Sequence, residues 1–403
     1  MAQLALRSRA AVAGRIGLIY LLARAVTTTM LVIAAELSGP ASRYGADATL
    51  GVLSMAWDGQ WYWLIAVEGY PTELPRGEDG TVAENAWAFM PVYPFFARAL
   101  GALLGAYPPA AVLLSVLAGY AASVLLYALL VRRIGAAPAL WTVAFFANGP
   151  LAALFQMGYA EPLFLVWLFL ALLLLTRRRY GWLYPVLLLL AYTRPGVLAF
   201  ALLLGLHGIH RWVTRRRDPL PPREIVHIVA LGAWATTLGF SWQVFAAVAT
   251  GDPSAYLDTE LAWRRAWVGP EEAFIPFAGT VQAAALWFSL WFPAWPAAGT
   301  AGVIVLVLLV AGVAAVLIRS RHVRALGPEI RLWSASYLIY LLAVFFPQSS
   351  TFRLLLPLSP LAGAVALPSS RVWRIGVLAV CLAGQWWWIH EMLALGNTYV
   401  RIP

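Results

Sequence analysis

The chain contains no lysine; all 28 of its basic residues are arginine. It has one cysteine, Cys381, which excludes an intrachain disulfide and a cysteine-based metal site. Charge is scarce. Only 11% of the 403 residues are charged and 62% are apolar, whereas a soluble domain carries roughly 25% charged residues. There is no glycine loop of the nucleotide-binding kind, so ATP is not implied. His207, His210, His227, His322 and His390 have no acidic ligands at a chelating spacing, and no metal is expected. No internal repeat, no Ser/Gly linker and no separate soluble core is visible, so residues 1–403 read as one domain. The first apolar run is too long for a cleavable signal and reads as a retained helix.

What the chain does have is a series of apolar runs near the length of a membrane span. They predict an all-α polytopic membrane protein with about eleven transmembrane helices. The runs lie near 14–37, 109–131, 137–157, 161–176, 181–193, 195–210, 225–249, 299–318, 332–346, 354–368 and 374–392. Several are short, and those around Pro150, Pro162 and Pro195 are candidates for broken or tilted helices. The net charge of +10 does not point to nucleic acid, because the arginines cluster in short links between apolar runs. Those links carry Arg7/Arg9/Arg15, Arg132/Arg133, Arg177 to Arg179, Arg211 to Arg223, Arg319 to Arg331 and Arg371/Arg374. They are expected to be cytoplasmic, as is the N-terminus. Fifteen of the 18 acids then fall on the opposite side. Insertion rules do not explain that segregation, because acids contribute little to topology.

Residues 277–297 are long enough to span, but a span there would put Arg319, Arg321 and Arg324 outside. They are expected to be interfacial or re-entrant, with Trp287, Trp291 and Trp295 on one helical face. Two external loops follow, about 38–108 and 250–298. Within the first, 51–67 and 89–104 are expected to form amphipathic helices.

The first loop gathers acids and aromatics. Asp58 stands among Trp57, Trp61 and Trp63, where aromatic walls would make a carboxylate a better base; equally, an Asp there caps a helix start. Glu68 and Glu84 are either ligands or solvated charges. Tyr93, between Pro91 and Pro94, lines a pocket or stiffens a turn. Glu161, in Tyr159-Ala160-Glu161-Pro162, is either functional or a helix N-terminus with an acid favoured by the dipole. Arg194 and Arg353 sit at the external boundary against the cytoplasmic bias of the other arginines. Arg353, with Gln348, Ser349, Ser350 and Thr351, can grip a phosphate; snorkelling is the alternative. Tyr256, Glu260 and Arg264 lie one helical turn apart, which suggests an i,i+4 ion pair between Glu260 and Arg264. Arg24, inside the first span, needs a partner that the sequence does not name.

Trp57-Asp58-Gly59-Gln60-Trp61-Tyr62-Trp63, continuing to Glu68-Gly69-Tyr70-Pro71 and then Ala88-Phe89-Met90-Pro91-Val92-Tyr93-Pro94, resembles the signature of the PIG-V mannosyltransferases. So do Tyr159-Ala160-Glu161-Pro162-Leu163-Phe164, Thr193-Arg194-Pro195-Gly196 and the run from Phe352 to Pro360. Members of that family add the second mannose in GPI-anchor assembly and have actinobacterial relatives. Pro162 stands where the family usually has Ser, and Met90 where it often has an aromatic residue.

The resemblance implies a glycosyltransferase C-type helical bundle in the plasma membrane with an extracytoplasmic active site. Its reaction would be inverting transfer of mannose from polyprenyl-phosphate mannose to a lipid, glycan or glycoprotein acceptor. Asp58 maps onto the family's presumed base and Glu161 onto its Tyr-x-Glu acid. Trp57, Trp61, Glu68, Glu84, Tyr93 and Tyr159 are the further substrate-binding candidates, and Arg353 and Arg194 the candidates for the donor phosphate. No cofactor and no metal are implied. A transporter or flippase of lipid-linked sugar is the rival expectation, and an inactive subunit of a glycosylation complex the third.

Overall fold

The computed structural model describes residues 2–269 and 274–403. Residues 270–273, part of the second expected external loop, lie outside the described residues. So do the side chains of 2–9, including Arg7 and Arg9 of the first arginine cluster, and that of Tyr399. Among the described residues the chain is helical without a β-strand; one isolated bridge joins Arg76 and Val82. Helix is what these leucine- and alanine-rich runs must form in hydrocarbon, where every backbone N–H and C=O needs a partner within the segment.

The first long helix, α1 (Ala2–Leu37), is followed by α2 (Leu50–Ser54), α3 (Asp58–Glu68) and α4 (Val92–Leu104). Next come α5 (Tyr107–Ile134), α6 (Ala136–Ala147), α7 (Glu161–Thr176), α8 (Leu183–Ala191), α9 (Val197–Thr214) and α10 (Pro222–Thr250). The last third contains α11 (Ala255–Val268), α12 (Ala278–Trp291), α13 (Ala298–Arg319), α14 (Arg321–Ala325) and α15 (Pro328–Val344). It closes with α16 (Thr351–Leu354), α17 (Ala362–Ala366) and α18 (Arg371–Ile389).

Six of the described helices are long and apolar enough to cross a membrane: α1 from Ala10, α5, α9, α10, α13, and α18 extended to Leu395. The other five expected positions are shorter. The 137–157 run splits into α6 and a 3-10 turn, Ala152–Gln156, and 354–368 splits into a 3-10 turn and α17. Proline marks the boundaries. Pro150 follows the end of α6, Pro162 sits in the first turn of α7, and Pro195 separates α8 from α9, the places where its missing N–H does least harm.

Each long helix turns one stripe inward. In α1 the buried positions are Ile16, Tyr20, Ala23, Arg24, Thr27, Leu31, Ala34 and Ala35, one stripe at helical spacing, while Leu21 and Leu22 are exposed. The centre of the bundle is α7, packed against α5, α8 and α15, with Leu165, Leu168, Phe169 and Leu172 wholly buried.

Arg24 finds its partners at a helix end. Its Nη2 donates to Ala147 O at 2.5 Å and its Nη1 to Ala152 O at 2.6 Å. These are carbonyls of the last residue of α6 and of the turn after it. The Ala147 carbonyl, at the C-terminus of α6, lacks an intrahelical donor and carries the negative end of the helix dipole, so a cation is satisfied there without an acid.

The segment 277–297 contains the 14-residue α12, too short for a span of roughly 20 residues. It starts beside the end of α15, where Phe277 N–H donates to Ala343 O at 2.9 Å, and packs along α13. Gly302 makes that contact possible: a Cβ there would lie 2.2 Å from Ala284 O. The rings of Trp287 and Trp291 stack at 6.4 Å. Trp295 lies past the helix end and does not continue the expected face, because Pro293 ends the helical run.

The arginine-bearing links meet at one end of the bundle. Arg133 bonds Glu329 there at 3.3 Å, and buried Arg211 bonds Asp218 and Glu224. The long loops meet at the other end, where Trp242 Nε1 donates to Trp87 O at 2.9 Å and Trp287 Nε1 to Pro347 O at 2.6 Å.

Candidate active site

The site begins with a break in the backbone. The helix expected over 51–67 is two helices, α2 and α3, separated at Met55 to Trp57. Trp57 has φ 55° and ψ −116°, a conformation costly for a bulky residue. Three contacts hold it there. Its N–H donates to Tyr44 Oη at 3.0 Å, its Nε1 donates to Met392 O at 3.0 Å, and the Arg43 guanidinium lies 4.0 Å from its ring centroid. The break makes Asp58 the first residue of α3. No side chain of the preceding residue caps this helix; Asp58 Oδ2 accepts from Arg353 Nη1.

Glu161 opens α7 in the same way, with Pro162 behind it. Arg194 projects from the link between α8 and α9, where Thr193 Oγ1 donates to Leu189 O at 2.6 Å. Arg353 comes from α16. The four side chains converge. Arg353 Nη1 lies 3.5 Å from Glu161 Oε1, and Arg194 Nη1 lies 2.6 Å from the same oxygen. Two cations face two carboxylates, and all four side chains are at most 14% exposed. Burial works against the charge on Arg353, but Asp58 and Glu161 outweigh it and hold the guanidinium firmly protonated.

The cluster forms part of the wall of a chamber of about 800 Å³ at the loop end of the bundle. One wall is aromatic. Trp61 stacks on Phe89 at 5.6 Å with planes 17° apart, and Trp263 of α11 meets both edge-on at 6.5 and 6.2 Å. The lower wall is apolar, with Leu198, Leu238, Val344 and Phe346 among its side chains.

The expected site residues distribute as follows. Asp58, Trp57, Trp61, Glu84, Glu161, Arg194 and Arg353 all line the chamber. Glu84 is exposed at its rim, where partial desolvation raises its carboxyl above the usual range against the pull of Arg43. Tyr159 lies behind the chamber, wholly buried, with its ring centroid 5.9 Å from the Arg353 guanidinium. Tyr93 is also wholly buried and does not line the chamber; its hydroxyl bonds Ala111 O at 2.9 Å and Ser115 Oγ at 2.8 Å. Its role in the fold is to lock α4 to α5. Glu68 is exposed at the far end of α3, three turns of helix from Asp58, and is not part of the lining.

No family model matches the chain, and no curated protein matches it.

Glu260, read from the sequence as half of an ion pair, also lines the chamber. The expected ion pair with Arg264 does not form: Arg264 donates to Gln282 Oε1, and the polar neighbour of Glu260 on its own helix is Tyr256, one turn back. The surface that Glu260 exposes faces the chamber and not bulk solvent. Burial raises its carboxyl to about 7, against the lowering pull of Tyr256 and Arg194. Its sequence signal is the spacing of Tyr256, Glu260 and Trp263, which share one helical face. The neighbouring Asp258 pairs with Arg265 at 2.6 Å instead.

Taken as chemistry, the chamber joins a carboxylate at a helix start, a guanidinium that touches it, a second guanidinium beside that, and aromatic faces. Such a set can accept a proton and stabilise a phosphate in one enclosure. Among the described residues no three His, Cys, Asp or Glu side chains are grouped to hold a metal ion.

Proposed function

We propose that the chain is an inverting mannosyltransferase of the PIG-V-like, glycosyltransferase C type, using polyprenyl-phosphate mannose on the extracytoplasmic face of the plasma membrane. In this reading the shorter apolar helices complete a bundle of about eleven spans, and the arginine-rich end is cytoplasmic. The observation that carries it is the meeting of Asp58, Glu161, Arg194 and Arg353 on the wall of an aromatic, partly apolar chamber. Each of the four stands in one of the motifs that carry the family resemblance.

The reaction is one displacement. Asp58 takes the proton of the acceptor hydroxyl, whose oxygen attacks the anomeric carbon from the face opposite the phosphate. The bond between that carbon and the phosphate oxygen breaks, and its electron pair leaves on the polyprenyl phosphate. Arg353, with Arg194 beside it, turns from the carboxylates to the phosphate and offsets the growing negative charge. Trp61 and Phe89 wall the sugar and exclude water. Glu161 keeps both guanidinium groups in place between turnovers.

The test is Asp58→Asn in membranes given labelled lipid donor. Transfer and release of polyprenyl phosphate should fall by about 10²-fold or more, the usual contribution of a general base. Undiminished transfer removes Asp58 from that role. Movement of intact donor between leaflets without release replaces the enzyme by a flippase.

A further inference from the structure

The chamber has a second pole that the reaction above leaves unused. It is the inner face of α11, where Tyr256, Glu260 and Trp263 stand at i, i+4 and i+7 and all line the cavity. Tyr256, one turn back, is the polar neighbour of Glu260 on that face. A carboxylate has about four lone-pair sites, so most of its accepting capacity points into the chamber unused. Its i+4 neighbour Arg264 is engaged with Gln282, and Arg194, the cation that acts on it, is ion-paired with Glu161 at 2.6 Å.

From this juxtaposition we infer that the chamber face of α11 is the acceptor subsite, with Glu260 accepting from the hydroxyls of a neutral sugar ring that lies against Trp263. The inference rests on the transferase reading above. Three features choose the ligand class. A carboxylate repels the donor phosphate, which leaves that group to Arg353 and Arg194. An alkyl chain seated here would strip water from Glu260 without replacing its hydrogen bonds. A sugar ring answers both parts of the site, because its hydroxyls donate to the carboxylate while its C–H face packs on an indole. Trp263 is well placed for that contact, since it meets Trp61 and Phe89 edge-on and all three rings line the cavity. The raised carboxyl of Glu260 also suits a neutral ligand better than a cation.

The experiment uses the full chain in lipid nanodiscs with labelled polyprenyl-phosphate mannose and octyl α-mannoside as the acceptor probe, with octanol as control. Glu260→Gln and Trp263→Ala are compared with wild type for acceptor KM, donor KM and kcat. Glu260→Gln is expected to raise the acceptor KM about tenfold, the loss of one hydrogen bond to a charged group, and to leave the donor KM within about twofold. Trp263→Ala should act in the same direction. An unchanged acceptor KM in both variants, or octanol serving as well as octyl mannoside, overturns the subsite. A photoreactive octyl mannoside provides a readout independent of turnover: label on 255–268 in wild type, lost in Trp263→Ala, supports the assignment, and label confined to other segments overturns it. Failure of the transferase reading looks different, because then no protein, wild type included, releases polyprenyl phosphate.

Discussion

Arg353 donates to Asp58 across a sequence separation of 295 residues, and the same nitrogen lies 3.5 Å from Glu161. One guanidinium therefore ties the first loop, the start of α7 and the last quarter of the chain into a single charged cluster.

Replacing Arg353 should be severe for activity. Arg353→Ala leaves two carboxylates facing Arg194 alone, and transfer is expected to fall by about 10²-fold or more. Arg353→Lys keeps a charge but presents a point cation in place of a planar fork, and should recover only part of the loss. Turnover assays on the two variants check this; equal activity of Lys and wild type would show that a point cation suffices there.

Glu161 and Arg194 should behave as one unit. Removing one partner of an enclosed ion pair leaves the other unpaired and costs about 3 kcal/mol or more. Glu161→Gln and Arg194→Gln are each expected to lower the thermal midpoint, and the double variant to lose less than the two single losses combined. Thermal unfolding of the four proteins gives the coupling directly. Strict additivity would mean the 2.6 Å contact carries no coupling.

Arg24→Met should destabilise the bundle without touching the chamber. It strands the carbonyls of Ala147 and Ala152, at about 1.5–3 kcal/mol for each hydrogen bond to a charged group. The expected result is a lower thermal midpoint with acceptor and donor KM unchanged. A change in either KM at unaltered stability would contradict a purely structural role.

Glu260 predicts a pH dependence with a definite sign. Its carboxyl is raised from 4.5 to about 7 in the folded chain, so between those values the folded state binds more protons than the unfolded one. Its contribution to stability is full below about pH 4.5 and is lost as pH rises through 7. The groups facing it are Tyr256 on its own helix, Tyr340 of α15 and Arg194 of the α8–α9 link. Tyr256 stays neutral across this window, because burial lifts its hydroxyl, and Arg194 stays charged. Thermal midpoints from pH 4.5 to 8 should therefore decline in wild type more steeply than in Glu260→Gln. Parallel curves would assign the titration elsewhere.

Much of the site was legible because its residues break local rules. Asp58 sits in a tryptophan-rich loop, and Arg194 and Arg353 stand at the wrong end for topology arginines. Tyr93 and Glu68 obey the same local pattern and yet lie outside the chamber. One is turned into the α4–α5 contact, and the other is carried down the far end of α3. Nothing in a loop's composition distinguishes an inward aromatic from a packed one.

Composition and the spacing of apolar runs determined by themselves that this chain is helical, that several helices suit a membrane, and that arginine collects at one set of links. Those properties depend on each segment's own solvation, which a local stretch of residues sets. Only the tertiary structure decided that Arg353 meets Asp58, that Arg24 caps α6, and that Glu260 lines the chamber while Arg264 beside it is tied to Gln282. Each of these depends on which distant segment supplies the missing hydrogen bond, and burial makes that choice only when the whole bundle has closed.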